Sequence, residues 1–206
     1  MTNRSQSMLR TYAPADVLTI ANASCGTIAT FLCLDYMAFD NERRLWIAIS
    51  LLPLALVFDV LDGYVARLSP KRQSVLGADL DSLADVISFG LGPAVLGYTL
   101  GLRGGWDMVC LTFFVVCGVS RLARFNVTAS QLTTIDTGKV SHFEGTPIPT
   151  SILIVALLAI LLWSGRVQQD VWLGVLRIGP MLLHPLALVF VLSGCAMISR
   201  VRIPKP

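Results

Sequence analysis

The chain has 206 residues, of which 54% are hydrophobic and only 14% are charged, and its mean hydropathy is +0.70. This composition excludes an ordinary soluble globular domain, because long apolar runs poor in charge fill nearly the whole sequence. It predicts one transmembrane domain over residues 1–206. The net charge of +3 is modest, and its distribution along the chain is more informative than its size. We expect no nucleic-acid partner.

The predicted elements begin after a polar opening, MTNRSQSMLRTYAP. No short apolar segment with a small-residue cleavage site follows it, so we expect no cleaved signal peptide. Residues 1–16 are predicted to form a cytoplasmic N-terminal segment. Six apolar helical spans follow, which predicts an all-α polytopic membrane protein. Pro180 and Pro185 in the last span predict a short interfacial piece before the true span. The approximate bounds of the six spans are 17–35, 45–67, 77–101, 106–125, 148–165 and 171–199.

The distribution of positive charge predicts the orientation. An even number of spans places both termini on the same side. Segments on that side hold eleven of the Lys and Arg residues, and segments on the opposite side hold five. The positive-inside rule therefore predicts that both termini are cytoplasmic. The loop after span 2, and the ends of spans 2 and 3 that adjoin it, are then cytoplasmic as well.

Acidic residues concentrate at those two helix ends, where five of the 13 fall within residues 59–85. Asp59 and Asp62 share a face of span 2, and Asp81 and Asp85 share a face of span 3, because residues three or four apart on a helix are neighbours. Each carboxylate at membrane depth costs about 2.5–3.5 kcal/mol, and a divalent cation would offset their repulsion. Hard oxygen ligands favour Mg²⁺, Mn²⁺ or Ca²⁺ over Zn²⁺. Four shared carboxylates suit two ions about 3.5–4 Å apart.

Four further residues lie beside the shared acidic faces, and each has two interpretations. Gly63 and Gly77 each cost about 1 kcal/mol in a helix relative to alanine. They indicate either a bulky ligand against the backbone or helix packing through small residues. Arg67 either meets a phosphate or is an ordinary positive-inside arginine. Asp79 lies off the shared acidic face of span 3, and its position fits a charge favoured by the helix dipole better than a further metal ligand.

Together these residues form a long pattern, Asp59-x-x-Asp62-Gly63-x-x-Ala66-Arg67 followed by Gly77-x-x-x-Asp81-x-x-x-Asp85. The pattern resembles the signature of the CDP-alcohol phosphotransferases. The resemblance extends over essentially the whole chain, because the six-span layout matches as well. Nine residues separate the arginine from the second glycine, one more than is usual for that family, and this departure falls in the predicted cytoplasmic loop.

The resemblance implies that a phosphatidyl group passes from a CDP-linked lipid to an alcohol and that CMP leaves. It implies that two Mg²⁺ or Mn²⁺ ions are bound by the aspartates and that Asp85 also serves as general base toward the acceptor hydroxyl. A homodimer in the bilayer is expected on the same ground. The implied metal ligands are Asp59, Asp62, Asp81 and Asp85, and the implied CDP-lipid contacts are Gly63, Ala66, Arg67 and Gly77.

Further stretches indicate the acceptor. LDSLADVISFGLGPA (80–94), SRLARFNV (120–127) and HFEGTPIPT (142–150) resemble the membrane-embedded phosphatidylserine synthases, and VLTIANASCG (17–26) fits them more loosely. This implies CDP-diacylglycerol and L-serine as substrates. A serine carboxylate needs a fixed cation near the metals, which an arginine can supply bidentately. The candidate serine-binding residues are Arg121, Arg124, Asn126 and Lys139, with positive-inside charge or a helix cap as the alternative.

Two other functions remain open. Another acceptor, such as glycerol 3-phosphate or inositol phosphate, would bring an extra phosphate and require more basic groups. A divalent-cation transporter could also use the aspartates, but it needs a polar route across the membrane, and the far halves of the spans are nearly featureless.

Gly97 and Gly101 form a G-x-x-x-G motif that could pack helices.

Overall fold

The computed structural model describes residues 14–68, 77–132, 142–144, 146–168, 171–199 and 202–204. Apolar helices dominate these residues. The helices are α1 (Pro14–Phe39), α2 (Glu42–Leu68), α3 (Gly77–Asp85), a π-helical turn (Val86–Leu91), α4 (Gly92–Thr99), α5 (Gly105–Leu132), a 3₁₀ turn (Ile148–Ser151), α6 (Ile152–Trp163) and α7 (Ala187–Ile198). The strands are β1 (His142–Glu144), β2 (Leu176–Ile178), β3 (Met181–Leu183) and β4 (Arg202–Pro204).

Four helical segments among the described residues are long and apolar enough to cross a membrane, and they coincide with predicted spans 1 to 4. The third, Gly77–Thr99, runs through α3, the π-helical turn and α4. The two remaining apolar helices, Ile148–Trp163 and Ala187–Ile198, are shorter. At 1.5 Å per residue they measure about 24 and 18 Å, against a hydrocarbon core of about 30 Å. The mostly helical architecture is confirmed, whereas six full-length spans are not.

The prediction of a helical span over 171–199 is wrong in its first half. Residues 176–183 form an antiparallel β2–β3 hairpin, in which Leu176 pairs with Leu183 and Ile178 with Met181. Gly179 takes a φ of +63° at the turn, a conformation that favours glycine. Pro180 follows it and has no backbone N–H to donate to a helix. The chain becomes helical only at Ala187.

The all-α prediction needs a second correction, because another pair of short strands occurs at the end of the bundle opposite the β2–β3 hairpin. There β1 pairs antiparallel with β4, and His142 lies opposite Pro204. This pairing brings the segment before α6 beside the segment after α7. Among the described residues each of the four strands has only three residues, so the fold remains a helical bundle with two small strand pairs.

The bundle core consists of interlocking apolar side chains with glycines at the closest approaches. Phe114 and Phe190 are buried and meet edge to face, with ring centroids 5.4 Å apart. A Cβ on Gly97 would lie 2.9 Å from Phe190, and Gly101 takes a φ of +124° beside Val171. The G-x-x-x-G motif thus packs within this chain.

Helix α1 lies against the π-helical turn, and this contact positions the site described below. A Cβ on Gly26 would lie 2.5 Å from Ser88 Oγ and 2.7 Å from Ser88 Cα, so only glycine permits so close an approach. The Ser88 hydroxyl donates a hydrogen bond of 2.9 Å to the backbone oxygen of Asn22. π-Helical turns occur frequently at functional sites, and this one begins directly after Asp85.

The end of the bundle far from the aspartates is held by a buried carboxylate. Asp107 accepts hydrogen bonds from the backbone N–H groups of Gly104 and His184, each at 2.7 Å, and lies 2.6 Å from His184 Nδ1. These contacts fasten the β2–β3 hairpin to the start of α5. At the same end, Arg44 pairs with Asp35 at 2.6 Å.

Candidate active site

Three aspartates converge where the last turns of α2 meet the first turns of α3. Asp59, Asp62 and Asp81 each offer a carboxylate oxygen, and the three oxygens lie within 4.8 Å of one another. Asp62 is buried, while the other two are half-buried. The helical spacing that predicted a shared acidic face on each helix therefore produces one three-carboxylate group.

Asp85 lies one helical turn further along the chain, and it is buried. It interacts electrostatically with Asp59 and Asp81, and to a smaller extent with Asp62. It is not among the residues whose oxygens lie within 4.8 Å of one another. The four predicted metal ligands are thus neighbours, and Asp85 is set apart from the other three.

The donor set suits a hard divalent cation. Asp81 Oδ1 is buried and has no hydrogen-bond partner among the described residues. An unpaired buried oxygen is unfavourable, and more so when it carries charge. Carboxylate oxygens are the ligands that Mg²⁺, Mn²⁺ and Ca²⁺ prefer. The three-carboxylate group could therefore hold a divalent cation, with Asp85 at its edge.

Helix α1 contributes polar residues that sequence reasoning did not assign to the site. Asp16, Thr19 and Asn22 are all buried. The Thr19 hydroxyl donates to Asp62 Oδ2 at 2.7 Å, and Asn22 Nδ2 donates to Asp85 Oδ1 at 3.4 Å. Asp16 interacts electrostatically with Asp62. The signal was available, since three polar residues at a spacing of three share one face of an apolar helix, and polar groups inside a membrane face the protein interior.

The residues predicted to contact the CDP-lipid line the same helix ends. A Cβ on Gly63 would meet no atom within 4 Å, so this glycine does not serve close helix packing among the described residues. Ala66 and Gly77 are half-buried, and Arg67 is exposed. Space beside the Gly63 backbone is the feature expected where a ligand approaches closely.

Helix α5 places three of the four predicted serine-binding residues in different surroundings. Arg121 is half-buried and interacts electrostatically with Asp85, and its Nε is buried without a partner among the described residues. Arg124 is exposed. Asn126 Nδ2 donates to Asp79 Oδ1 at 3.3 Å, and Asn126 Oδ1 accepts from the Ser82 hydroxyl at 3.2 Å. Lys139 lies outside the described residues.

These contacts also locate Asp79. It is exposed in the first turn of α3, its carboxylate pairs with Asn126, and it is not part of the three-carboxylate group. The amino group and the carbonyl oxygen of the Asn126 side-chain amide both contact residues of α3, so this residue links α5 to α3. Of the predicted serine-binding residues that the structure describes, Arg121 is the one that faces the aspartates with an unpartnered donor.

Comparison with known proteins agrees with this geometry. The sequence profile of the CDP-alcohol phosphatidyltransferases matches residues 12–193. This range includes every aspartate of the site, helices α1 to α6 and the first part of α7. The chain belongs to the CDP-alcohol phosphatidyltransferase family. The resemblance inferred from the aspartate and glycine pattern is confirmed.

Relatives of this family member occur in yeast and in archaea. It is 40% identical over 203 residues to the CDP-diacylglycerol–serine O-phosphatidyltransferase of Saccharomyces cerevisiae, covering 97% of this chain and 73% of the yeast protein. It is 36% identical over 143 residues to the archaetidylserine synthase of Methanothermobacter thermautotrophicus, covering 68% of this chain and 55% of that protein. It is 33% identical over 156 residues to the CDP-diacylglycerol–serine O-phosphatidyltransferase of Methanocaldococcus jannaschii, covering 76% of this chain and 63% of that protein.

Proposed function

We propose that this phosphatidyltransferase transfers the phosphatidyl group of CDP-diacylglycerol to the hydroxyl of L-serine and releases CMP. The observation that carries the proposal is the arrangement around Asp85. A buried carboxylate adjoins the three-carboxylate group and lies in electrostatic range of Arg121, whose Nε has no partner among the described residues. The names of the yeast and archaeal relatives support serine as the acceptor.

Asp59, Asp62 and Asp81, with Asp85, would hold two Mg²⁺ or Mn²⁺ ions. Bound there, the divalent ions would supply Lewis-acid stabilisation of the negative charge on the diphosphate and on the departing CMP. The protein's own part is to keep the carboxylates fixed. The Thr19 hydroxyl holds Asp62 at 2.7 Å, so one ligand is oriented before any ion arrives, as outer hydrogen bonds do in metal sites.

The chemical step follows from the position of Asp85. Its carboxylate accepts the proton of the serine hydroxyl as general base. The serine oxygen then forms a bond to the phosphorus that carries the diacylglycerol. The bond from that phosphorus to the oxygen bridging to CMP breaks, and CMP leaves with the electron pair. Asp85 suits this role better than the other aspartates, because it stands outside the tight group of three.

Substrate binding is assigned to the residues that border the aspartates. The open space beside Gly63 admits the nucleotide, and the exposed Arg67 at the end of α2 is a neighbour for its phosphates. Arg121 binds the serine carboxylate as a planar fork. It is preferred to Arg124 because Arg124 is exposed and Arg121 is half-buried beside Asp85.

The proposed setting is a multi-pass membrane protein whose aspartates face the cytoplasm. The excess of Lys and Arg in the segments at the aspartate end supports this orientation. Arg44 and Arg103 lie at the other end, where Arg103 donates to the backbone oxygens of Tyr98 and Thr99. A homodimer is expected from the family and stays a prediction.

The deciding experiment measures CMP release by purified protein in detergent micelles containing CDP-diacylglycerol and Mg²⁺, with and without serine. We expect CMP release and formation of phosphatidylserine that depend on serine, and loss of both in the Asp81→Asn variant. Glycerol 3-phosphate and inositol phosphate serve as competing acceptors. Faster CMP release with either phosphate-bearing alcohol than with serine would refute serine as the acceptor.

A separate measurement addresses divalent-cation transport. Protein reconstituted in sealed vesicles is supplied with Mn²⁺ outside and a fluorescent Mn²⁺ indicator inside. Family membership favours transfer chemistry, so we expect no uptake above empty vesicles. Uptake that requires Asp81, in a protein that releases no CMP, would identify a transporter.

A further inference from the structure

Asn22 is held in one place on α1, with its side chain directed at the active site. It is 0% exposed. Its backbone oxygen accepts a hydrogen bond from Ser88, and the adjacent Gly26 allows α1 to lie directly against Ser88. Nδ2 of Asn22 donates to Asp85 Oδ1 at 3.4 Å. The side chain therefore borders the carboxylate that receives the acceptor's proton in the proposed reaction.

The carbonyl oxygen of the Asn22 side-chain amide makes no hydrogen bond among the described residues. Asn22 Oδ1 is buried and has no hydrogen-bond partner among the described residues. Rotating the amide by half a turn would place its oxygen against the Asp85 carboxylate, which offers no proton when ionised. The orientation with Nδ2 toward Asp85 therefore leaves a buried acceptor open. Such an acceptor is unfavourable unless a donor arrives.

Arg121, on α5, presents the opposite situation near the same carboxylate. Its Nε is buried without a partner among the described residues, and the guanidinium interacts electrostatically with Asp85. Asp85 is thus bordered by one open acceptor on α1 and one open donor on α5. A ligand that satisfies both must carry a hydrogen-bond donor and an acceptor, and an anionic acceptor suits the guanidinium best. An α-amino acid zwitterion has this pair of groups.

We propose that Asn22 Oδ1 accepts a hydrogen bond from the α-ammonium group of the acceptor substrate while Arg121 binds its carboxylate. With both groups held, the side-chain hydroxyl of the amino acid is directed to Asp85. This inference rests on the proposed function and adds an ammonium site to it. It also gives a reason for the acceptor to be an amino acid, since glycerol 3-phosphate and inositol phosphate carry no ammonium group.

The competing explanation is that Asn22 only orients Asp85. In that case its loss would slow the reaction with every acceptor by the same factor, because Asp85 takes the proton in each case. An ammonium site predicts a different pattern, in which the loss depends on whether the acceptor carries an ammonium group. The test therefore compares acceptors within one enzyme before it compares enzymes.

Three alcohols separate the two charged groups of serine. L-Serine has both, ethanolamine lacks the carboxylate, and 3-hydroxypropionate lacks the ammonium group. kcat/KM is measured for each by CMP release from CDP-diacylglycerol. In the wild-type enzyme we expect 3-hydroxypropionate and ethanolamine each to be about ten- to a hundred-fold poorer than serine, the range of one hydrogen bond to a charged group. Equal use of serine and 3-hydroxypropionate by the wild-type enzyme would overturn the ammonium site without any variant.

Two variants test which residue binds each charged group of the acceptor. Asn22→Leu should lower kcat/KM for serine and ethanolamine about ten- to a hundred-fold more than for 3-hydroxypropionate. Arg121→Met should do the reverse, with serine and 3-hydroxypropionate losing more than ethanolamine. Ser24→Ala is the matched control on α1, because Ser24 is exposed and its hydroxyl donates to its own helix at Ile20 O. It should leave all three values unchanged.

The outcomes distinguish this inference from the proposed function. Serine-dependent CMP release with an Asn22→Leu loss equal for all three acceptors overturns the ammonium site and leaves the function standing. A wild-type enzyme that uses glycerol 3-phosphate or 3-hydroxypropionate in preference to serine overturns both. If Asn22→Leu does not fold, the wild-type ratio of serine to 3-hydroxypropionate still decides.

Discussion

The Thr19→Val variant tests whether α1 prepares the proposed metal site. Valine has the shape of threonine without the hydroxyl, so the substitution removes one hydrogen bond and little else. Thr19 Oγ1 lies 2.7 Å from Asp62 Oδ2 and 3.2 Å from the backbone oxygen of Ala15. A hydroxyl has one proton, and the shorter contact to a carboxylate takes it. Removal leaves a buried carboxylate with one partner fewer.

The expected magnitude follows from the charge on that partner. Hydrogen bonds to charged groups contribute about 1.5–3 kcal/mol, which corresponds to about ten- to a hundred-fold in an equilibrium constant. Loss of a hydrogen bond to a metal ligand typically costs the same factor in metal affinity or activity. We therefore expect Thr19→Val to raise the Mg²⁺ concentration for half-maximal activity about ten- to a hundred-fold. Because Thr19 touches no reacting atom in the proposed reaction, kcat at saturating Mg²⁺ should stay within a few-fold of wild type.

The assay is CMP release titrated with Mg²⁺ after removal of bound metal with EDTA. Thr27→Val is the matched control, since the Thr27 hydroxyl donates to Ala23 O of its own helix at 2.8 Å and lies two turns from Thr19. Its Mg²⁺ titration should superimpose on that of the wild type. An unchanged Mg²⁺ titration in Thr19→Val would refute the reasoning, and so would an equal shift in Thr27→Val, because that would trace the effect to α1 as a whole.

Three further predictions concern the aspartates and glycines. EDTA should abolish CMP release and Mg²⁺ or Mn²⁺ should restore it, while Asp81→Asn should lower the rate by several orders of magnitude; full activity in EDTA would contradict a metal site. Asp85→Asn should retain CDP-diacylglycerol binding, measured by isothermal titration, better than Asp59→Asn does. A general base acts on the chemical step, whereas a metal ligand also helps to hold the nucleotide. Equal loss of binding in both variants would make Asp85 chiefly a metal ligand. Gly63→Ala should keep the wild-type Tm but weaken CDP-lipid binding, since the added Cβ meets nothing within 4 Å. Gly26→Ala should lower Tm, because the added Cβ would lie 2.7 Å from the Ser88 backbone. The opposite pattern would mean that Gly63 serves packing.

The aspartate group could be predicted from sequence because its geometry is local. Asp59 and Asp62 are three apart, and Asp81 and Asp85 are four apart, so helical periodicity alone sets two on each face. The short connection between the two helices then makes them neighbours. The first four spans could be predicted for a similar reason, since their length and hydropathy are properties of continuous segments.

The roles of α5 and the sixth span depend on contacts that are distant in sequence. Arg121 and Arg124 are both positive residues near the end of one helix, and only the packing of α5 against α3 buries one and exposes the other. Asn126 has the composition of a binding residue, yet Ser82 and Asp79 engage its amide. The β2–β3 hairpin could not be distinguished from a transmembrane helix by hydropathy, because most of its residues are apolar. Glycine and proline at its turn indicated a break in the helix but not the pairing that replaces it.

Polar residues inside the spans give a more general signal than the family pattern does. In a membrane each buried polar group requires a partner, because lipid supplies none. The carboxylates of α2 and α3 therefore require donors from other helices, and α1 supplies them through Thr19 and Asn22. The pattern of aspartates contains no residue of α1, so it cannot identify these donors. A search for partners would have found them, since the buried polar residues of α1 recur every three residues on the face that meets Asp62 and Asp85. By the same reasoning, we propose that the two polar atoms that lie near Asp85 and remain unpartnered among the described residues bind the acceptor substrate, which would bring the missing partner of each.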